Sequence, residues 1–229
     1  MGRHTLEGNP PIEVNLRKST RARRLSLRIS RLDGRVTLTL PRFTAEREGI
    51  AFLKAKEAWL RAHLDDVAQP APVAVGAELM VRGQMLPIVV GTTKRVQITT
   101  SEICVPDQAT AAVRIKAQLR HLARDALATA SDRYAAKVGR HYTRLTLRDT
   151  RSRWGSCSSN GTLMYSWRLI MAPPDVLDYV AAHEVAHLVE MNHSPAYWDV
   201  VGALYPDYQR ARQWLRNNGD QLHRFRFDN

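Results

Sequence analysis

Ala182-His183-Glu184-Val185-Ala186-His187-Leu188 is the stretch on which the reading of this chain turns. It carries the pattern H-E-x-x-H. Residues four apart on a helix share a face, about one turn apart, so His183 and His187 can present their imidazoles to one ion. Glu184 sits one position on, near enough to a metal-bound water to take its proton without becoming a ligand. Zinc lowers the pKa of such a water toward about 7, and a carboxylate beside it can later deliver the proton to a leaving amine. The surroundings read as an amphipathic helix, with Val176, Val180, Leu188 and Met191 placed to pack. The plainer alternative is a helix whose two histidines are surface polar groups.

A catalytic zinc needs three protein ligands and one open position. His193 follows His187 by six residues, the metzincin separation, although Glu190 stands where that pattern has its turn glycine. Asn192 offers a left-handed cap that would end the helix and fold His193 back over the metal. His193 is therefore the expected third ligand. A carboxylate from Glu190, Asp199 or Asp207 is the alternative, and His193 would then be a capping histidine.

Upstream, Pro173-Pro174-Asp175 starts this helix, with proline tolerated in the first turn and Asp175 favourable to the helix dipole. Leu145 and Leu147 begin a strand, residues 156–161 read as a turn, and 163–169 as the return strand. Helical spacing from Ile115 to Val138 gives about 30 residues of helix, or two abutting ones. Short β-like runs fill 78–105. Nearer the start, Leu25, Leu27 and Ile29 alternate with polar residues, Asp33-Gly34 marks a turn, and Val36, Leu38 and Leu40 alternate again, giving a β-hairpin stopped by Pro41. A helical pattern follows from Thr44 to Leu64. Residues 1–15, polar and containing Pro10-Pro11, read as a loose arm. After the helix at 174 onward, Pro195, Pro206 and Gly219 punctuate two more helices. The expected division is a basic, β-rich lobe over 1–107 and a helical domain over 108–229.

The chain has 229 residues, 44% hydrophobic and 24% charged, which excludes collagen, coiled coil and wholesale disorder. Two cysteines, Cys104 and Cys157, exclude a disulfide scaffold and a thiolate zinc knuckle. Cys157, between serines, reads as a small packing residue rather than a nucleophile. The start of the chain shows no signal-peptide pattern, and no run approaches the ~20 apolar residues that span a bilayer, so a cytoplasmic protein with reduced thiols is expected.

Arg153-Trp154-Gly155-Ser156-Cys157-Ser158-Ser159, Ser166-Trp167-Arg168-Leu169, the His183-Glu184 to His187 pattern and Asn192-His193-Ser194 to Trp198, taken in order, resemble the YgjP-like metallopeptidase family, a group related to the SprT and WLM zincins. The resemblance covers about residues 140–220, with a weaker likeness in the N-terminal hairpin and the Trp59 helix. Tyr197, where phenylalanine is commoner, is the one variation. The resemblance implies an α+β fold with a zincin-like metallopeptidase domain, one Zn2+ per chain on His183, His187 and His193, and Glu184 as general base. By likeness to zincins, the strand at 153–157 would line the cleft and pair with an extended peptide; the packing alternative puts Trp154 and Trp167 under the active helix. Tyr197, Tyr205, Tyr208, His141 and Arg153 are open candidates for oxyanion stabilisation, and Asp178 or Asp199 for orienting an imidazole.

Charge is the remaining feature. The chain holds 34 Lys+Arg against 22 Asp+Glu, a formal +12, and eight basic residues against one acid lie between Arg17 and Arg35. Ser26 and Arg28 share the face opposite Leu25, Leu27 and Ile29, forming a stripe that can follow a phosphate backbone or simply be solvated. The rival functional reading is thus a nucleic-acid-binding protein with a structural or vestigial metal site; the two also combine, as a protease recruited to DNA.

Overall fold

The computed structural model describes residues 2–30, 33–65 and 69–227. Their contacts form two compact units, residues 1–69 and 70–229.

The first unit begins with β1 (Gly2–Leu6), β2 (Ile12–Ser19), β3 (Ser26–Ile29) and β4 (Val36–Pro41) in one sheet of order β1-β2-β4-β3. The hairpin of β3 and β4 has the expected antiparallel register, Ile29 opposite Val36 and Ser26 opposite Thr39. The loose arm expected for residues 1–15 is instead β1 and the start of β2. Ile12, Val14 and Leu16 alternate toward the core, and burying them outweighs the local turn signal of Pro10-Pro11. Helices α1 (Glu46–Ala55) and α2 (Glu57–Asp65) cover that face with Leu53 and Leu60. A Cβ at Gly49 would come within 2.6 Å of Leu40 Cδ2, so glycine is what lets α1 approach the sheet. Arg61 of α2 donates to the carbonyls of Pro10 and Glu7 at 2.7 and 3.0 Å, tying down the β1–β2 turn.

The second unit opens with β5 (Ala71–Pro72), then a sheet of β6 (Glu78–Val81), β7 (Gln84–Val90), β8 (Gln97–Ile98) and β9 (Ile103–Val105) in the order β6-β7-β9-β8. These strands do not belong to the N-terminal lobe. Leu79, Val81, Ile88, Ile103 and Val105 share one core with Ile115, Leu119 and Leu127 of the next helix, so the break falls after Gln69 and not near residue 107. That helix, α3 (Ala111–Lys137), is a single element of 27 residues. It stops where Gly139 takes a φ of 62° and the Arg140 N–H reaches back to the Ala135 carbonyl.

Strands β10 (Arg144–Arg148), β11 (Gly155–Cys157) and β12 (Thr162–Ser166) form a sheet of order β10-β12-β11. β12 returns along β11 antiparallel and lies parallel to β10. The return strand is shorter than expected, because Trp167–Met171 turns into a 3-10 helix whose residues are all buried. Arg168 there anchors three segments: it pairs with both Asp149 carboxylate oxygens and donates to the carbonyls of Leu222 and Phe225. α4 (Pro174–Ala186), α5 (Pro195–Leu204) and α6 (Tyr208–Asn218) follow, then a 3-10 turn at Gly219–His223 and β13 (Phe225–Arg226), which pairs with β5. The described residues are mixed α+β, and none of their helices is long and apolar enough to cross a membrane.

Candidate metal centre and peptidase site

α4 is nearly all buried, so its polar residues are conspicuous. Its first half is fixed to α3 through Asp178, which accepts from the Tyr134 hydroxyl at 2.6 Å and pairs with Arg133. This also removes Asp178 as a partner for an imidazole. The helix ends at Ala186 with His187 as its C-cap, five residues before the cap expected at Asn192. Asn192 is not left-handed, since Arg82 is the only non-glycine with positive φ among the described residues. Consequently Met191 is 47% exposed instead of packing, while Val176 and Val180 are buried as expected.

After His187 the chain turns sharply, with the Ser194 N–H on the Asn192 carbonyl at 2.7 Å. Ser194 then caps α5, its hydroxyl accepting from the Tyr197 N–H at 3.3 Å, with Pro195 in the first turn. The result returns His193 to α4: its Nε2 lies 3.3 Å from His183 Nε2. One ring nitrogen from each of His183, His187 and His193 lies within 4.8 Å of the others. The carboxylate alternatives do not join this group; Glu190 uses a side-chain oxygen for the Asn192 N–H.

The ring orientations are set by neighbours. His187 Nδ1 lies 3.1 Å from the Glu190 carbonyl, an acceptor only, so Nδ1 carries the proton and Nε2 is left with its lone pair free. Tyr197, fully buried on α5, donates its hydroxyl to the His183 carbonyl at 2.9 Å. Its ring stacks on His187 at 4.5 Å and meets the edges of His183 and His193. With that hydroxyl engaged, Tyr197 is a support for the histidines and not a free oxyanion donor. Tyr208 stacks on Trp198, and exposed Asp199 has no hydrogen-bond partner among the described residues.

Burial drives the His183 pKa down to about 3, with His187, His193 and the charge of Arg212 adding to the effect, and burial lowers His187 as well. Both rings are therefore neutral at physiological pH, the form that ligates. Three imidazole nitrogens within 4.8 Å of one another suit a divalent transition-metal ion, so the residues present fit such a group.

Glu184 is 5% exposed, and burial lifts its pKa to about 8, opposed by the positive charge of Arg153 and by the Cys157 N–H. β11 packs against this carboxylate: a Cβ at Gly155 would lie 2.6 Å from Glu184 Cγ. Sequence reasoning gave Gly155 no role, although a glycine inside a strand is a signal of close approach. The flanking tryptophans sit elsewhere: Trp154 against His223 and Gly219, Trp167 edge-on to Phe227. Cys157 is a free thiol whose pKa is raised to about 11 by burial and by Glu184, which suits a packing residue.

A cluster of this kind could hold a metal ion. The family comparison agrees: a model described as YgjP-like, metallopeptidase domain, matches residues 23–218. The chain belongs to the YgjP-like family and falls among the metal-dependent peptidases. A comparison with curated proteins finds no match.

Proposed function

We propose that this protein is a zincin-like peptidase that binds one zinc ion through His183, His187 and His193 and uses Glu184 as its general base. The observation that carries this reading is the convergence of the three ring nitrogens on the helix that also bears the buried Glu184. Zinc held there supplies a Lewis acid for the scissile carbonyl and acidifies water toward a pKa of about 7. Glu184 accepts the proton of the attacking water and passes it to the departing amine. Gly155 keeps the space that the carboxylate occupies, and Arg153 and the Cys157 N–H favour its ionised form. Tyr197 and the Glu190 carbonyl hold the rings in their ligating orientation.

β11 is the candidate seat for substrate. It is an edge strand, and the Trp154 carbonyl and Ser158 N–H bond toward β12, so the backbone groups of Gly155 and Cys157 face the other way, toward Glu184. An extended peptide added along that edge would lie with its scissile bond beside the carboxylate. A site that only stabilised the fold would have no use for a base cut into the sheet in this manner. Glu184→Gln tests the proposal: it should keep the zinc content of the wild type and lose hydrolysis of a peptide library, and full hydrolysis by that variant would remove Glu184 from the mechanism.

A further inference from the structure

The outer face of the first unit's sheet is built unlike its inner face. Register places Arg17 beside Thr39 and Thr39 beside Ser26, while Asn15, Thr37 and Arg28 form the next row. Arg17, Arg28, Arg35, Ser26, Thr37 and Thr39 line one groove of about 470 Å3 on that face. Every side chain in it is a guanidinium or a hydroxyl, the donors that hold phosphate oxygens. Asp33 pairs with Arg35 at 3.4 Å, and Glu13 lies at the far side of the face beside Thr5. Arg17 and Arg28 form no ion pair among the described residues, nor do Arg21, Arg23 and Arg24 in the loop that follows β2.

That loop leaves the sheet where Ser19 pairs with Pro41, and Phe43 stands two residues past Pro41. Phe43 is 93% exposed, with the Arg42 guanidinium 5.5 Å over its ring. A phenylalanine that contributes nothing to the core, in the turn after the strand that carries Thr37 and Thr39, supplies a flat surface for a nucleobase. The groove spans three strands, about 10 Å across at the usual strand spacing, which suits one sugar-phosphate chain better than a duplex. Anionic lipid fits less well, because one ring among arginines and hydroxyls offers little apolar area to insert.

We infer that this sheet face binds single-stranded nucleic acid, its arginines and hydroxyls following the phosphates and Phe43 stacking on a base. The inference is independent of the peptidase reading, since every residue in it lies in the first unit. The test uses the full chain and fluorescence anisotropy with labelled 15-mer oligothymidylate, oligouridylate, a 15-base-pair duplex, and phosphatidylserine vesicles. Single strands should bind more tightly than duplex, with log K falling against log salt at a slope of about −2 to −3, as three or four phosphates require. The DNA and RNA arms tell which sugar is preferred. Arg17→Gln/Arg28→Gln should weaken binding about tenfold or more and Phe43→Ala about fivefold or more, both with wild-type thermal melting and zinc content. Unchanged binding by the variants, duplex bound as tightly as single strands, or uptake by vesicles without strand binding would each overturn it.

Discussion

Gly155 and Glu184 occupy each other's space: the strand residue has no side chain because the helix carboxylate fills the position where one would go. The contact joins β11 to α4 and sets where the buried carboxylate stands relative to the three histidines. Gly155→Ala should therefore displace Glu184 while leaving the histidines alone. The expected outcome is a fall in kcat of about tenfold to a hundredfold with full metal occupancy, since misplacing a catalytic group by about 1 Å carries a cost of this order. Steady-state kinetics with metal analysis checks it, and wild-type kcat would show the carboxylate to be indifferent to its seat.

Tyr197→Phe retains the ring that stacks on His187 and deletes only the hydroxyl on the His183 carbonyl. Leaving a buried carbonyl unpaired costs about 1–3 kcal/mol, a fall of several degrees in Tm for a protein of this size. Thermal melting of the metal-free and zinc-loaded forms should show it in both, with weaker zinc retention in the variant. A Tm within a degree of wild type would show that the hydroxyl holds nothing in place.

His223 makes the metal-free protein sensitive to acid. Burial, with the cations of Arg168, Arg151 and Arg226, lowers its pKa to about 4 against the partial relief of Asp149. The unfolded state then binds the proton that the folded state refuses between pH 6.5 and about 4, so stability is present above 6.5 and is lost as pH falls through that window. The full shift is worth on the order of 3 kcal/mol. His183 acts in the same direction when no metal is bound. Urea unfolding of the metal-free chain at pH 7.5 and 5 should show the loss, and His223→Gln should reduce it. An equal loss in the variant would assign the effect elsewhere.

Arg168 supports the second unit by joining the 3-10 turn to Asp149 and to the carbonyls near the C-terminus. Arg168→Met keeps the stem but leaves those acceptors unpaired, and about 2–4 kcal/mol of stability should go with it. Chemical denaturation measures this directly, and a change under 0.5 kcal/mol, about the spread for ordinary surface substitutions, would show that water replaces the guanidinium without loss.

These positions mark how far the amino-acid sequence can be read. Helical period alone puts His183 and His187 on one face, and the spacing to His193 needs only a turn, so the cluster was accessible from local rules. The turn itself was not: the cap expected at Asn192 lies at His187, because the Ser194 cap and the burial of Tyr197 draw the chain back early. Gly155 and Tyr197 act on the site through tertiary contacts: a glycine inside a strand signals a close approach, but not that Glu184 makes it. The same holds at the other end of the chain, where Pro10-Pro11 suggested a loose arm and the pairing of Leu6, Ile12 and Val14 over α1 and α2 decided otherwise. The strands from 78 to 105 were legible as strands, but their partner, α3, was not, which moved the boundary to Gln69.

Metal stoichiometry bears most directly on the account. Inductively coupled plasma mass spectrometry of the purified chain and of His183→Ala, His187→Ala and His193→Ala should find close to one zinc per wild-type chain and little in any variant. Zinc retained at the wild-type level in a variant that still folds, or a different metal bound stoichiometrically in its place, would contradict the assignment of that centre.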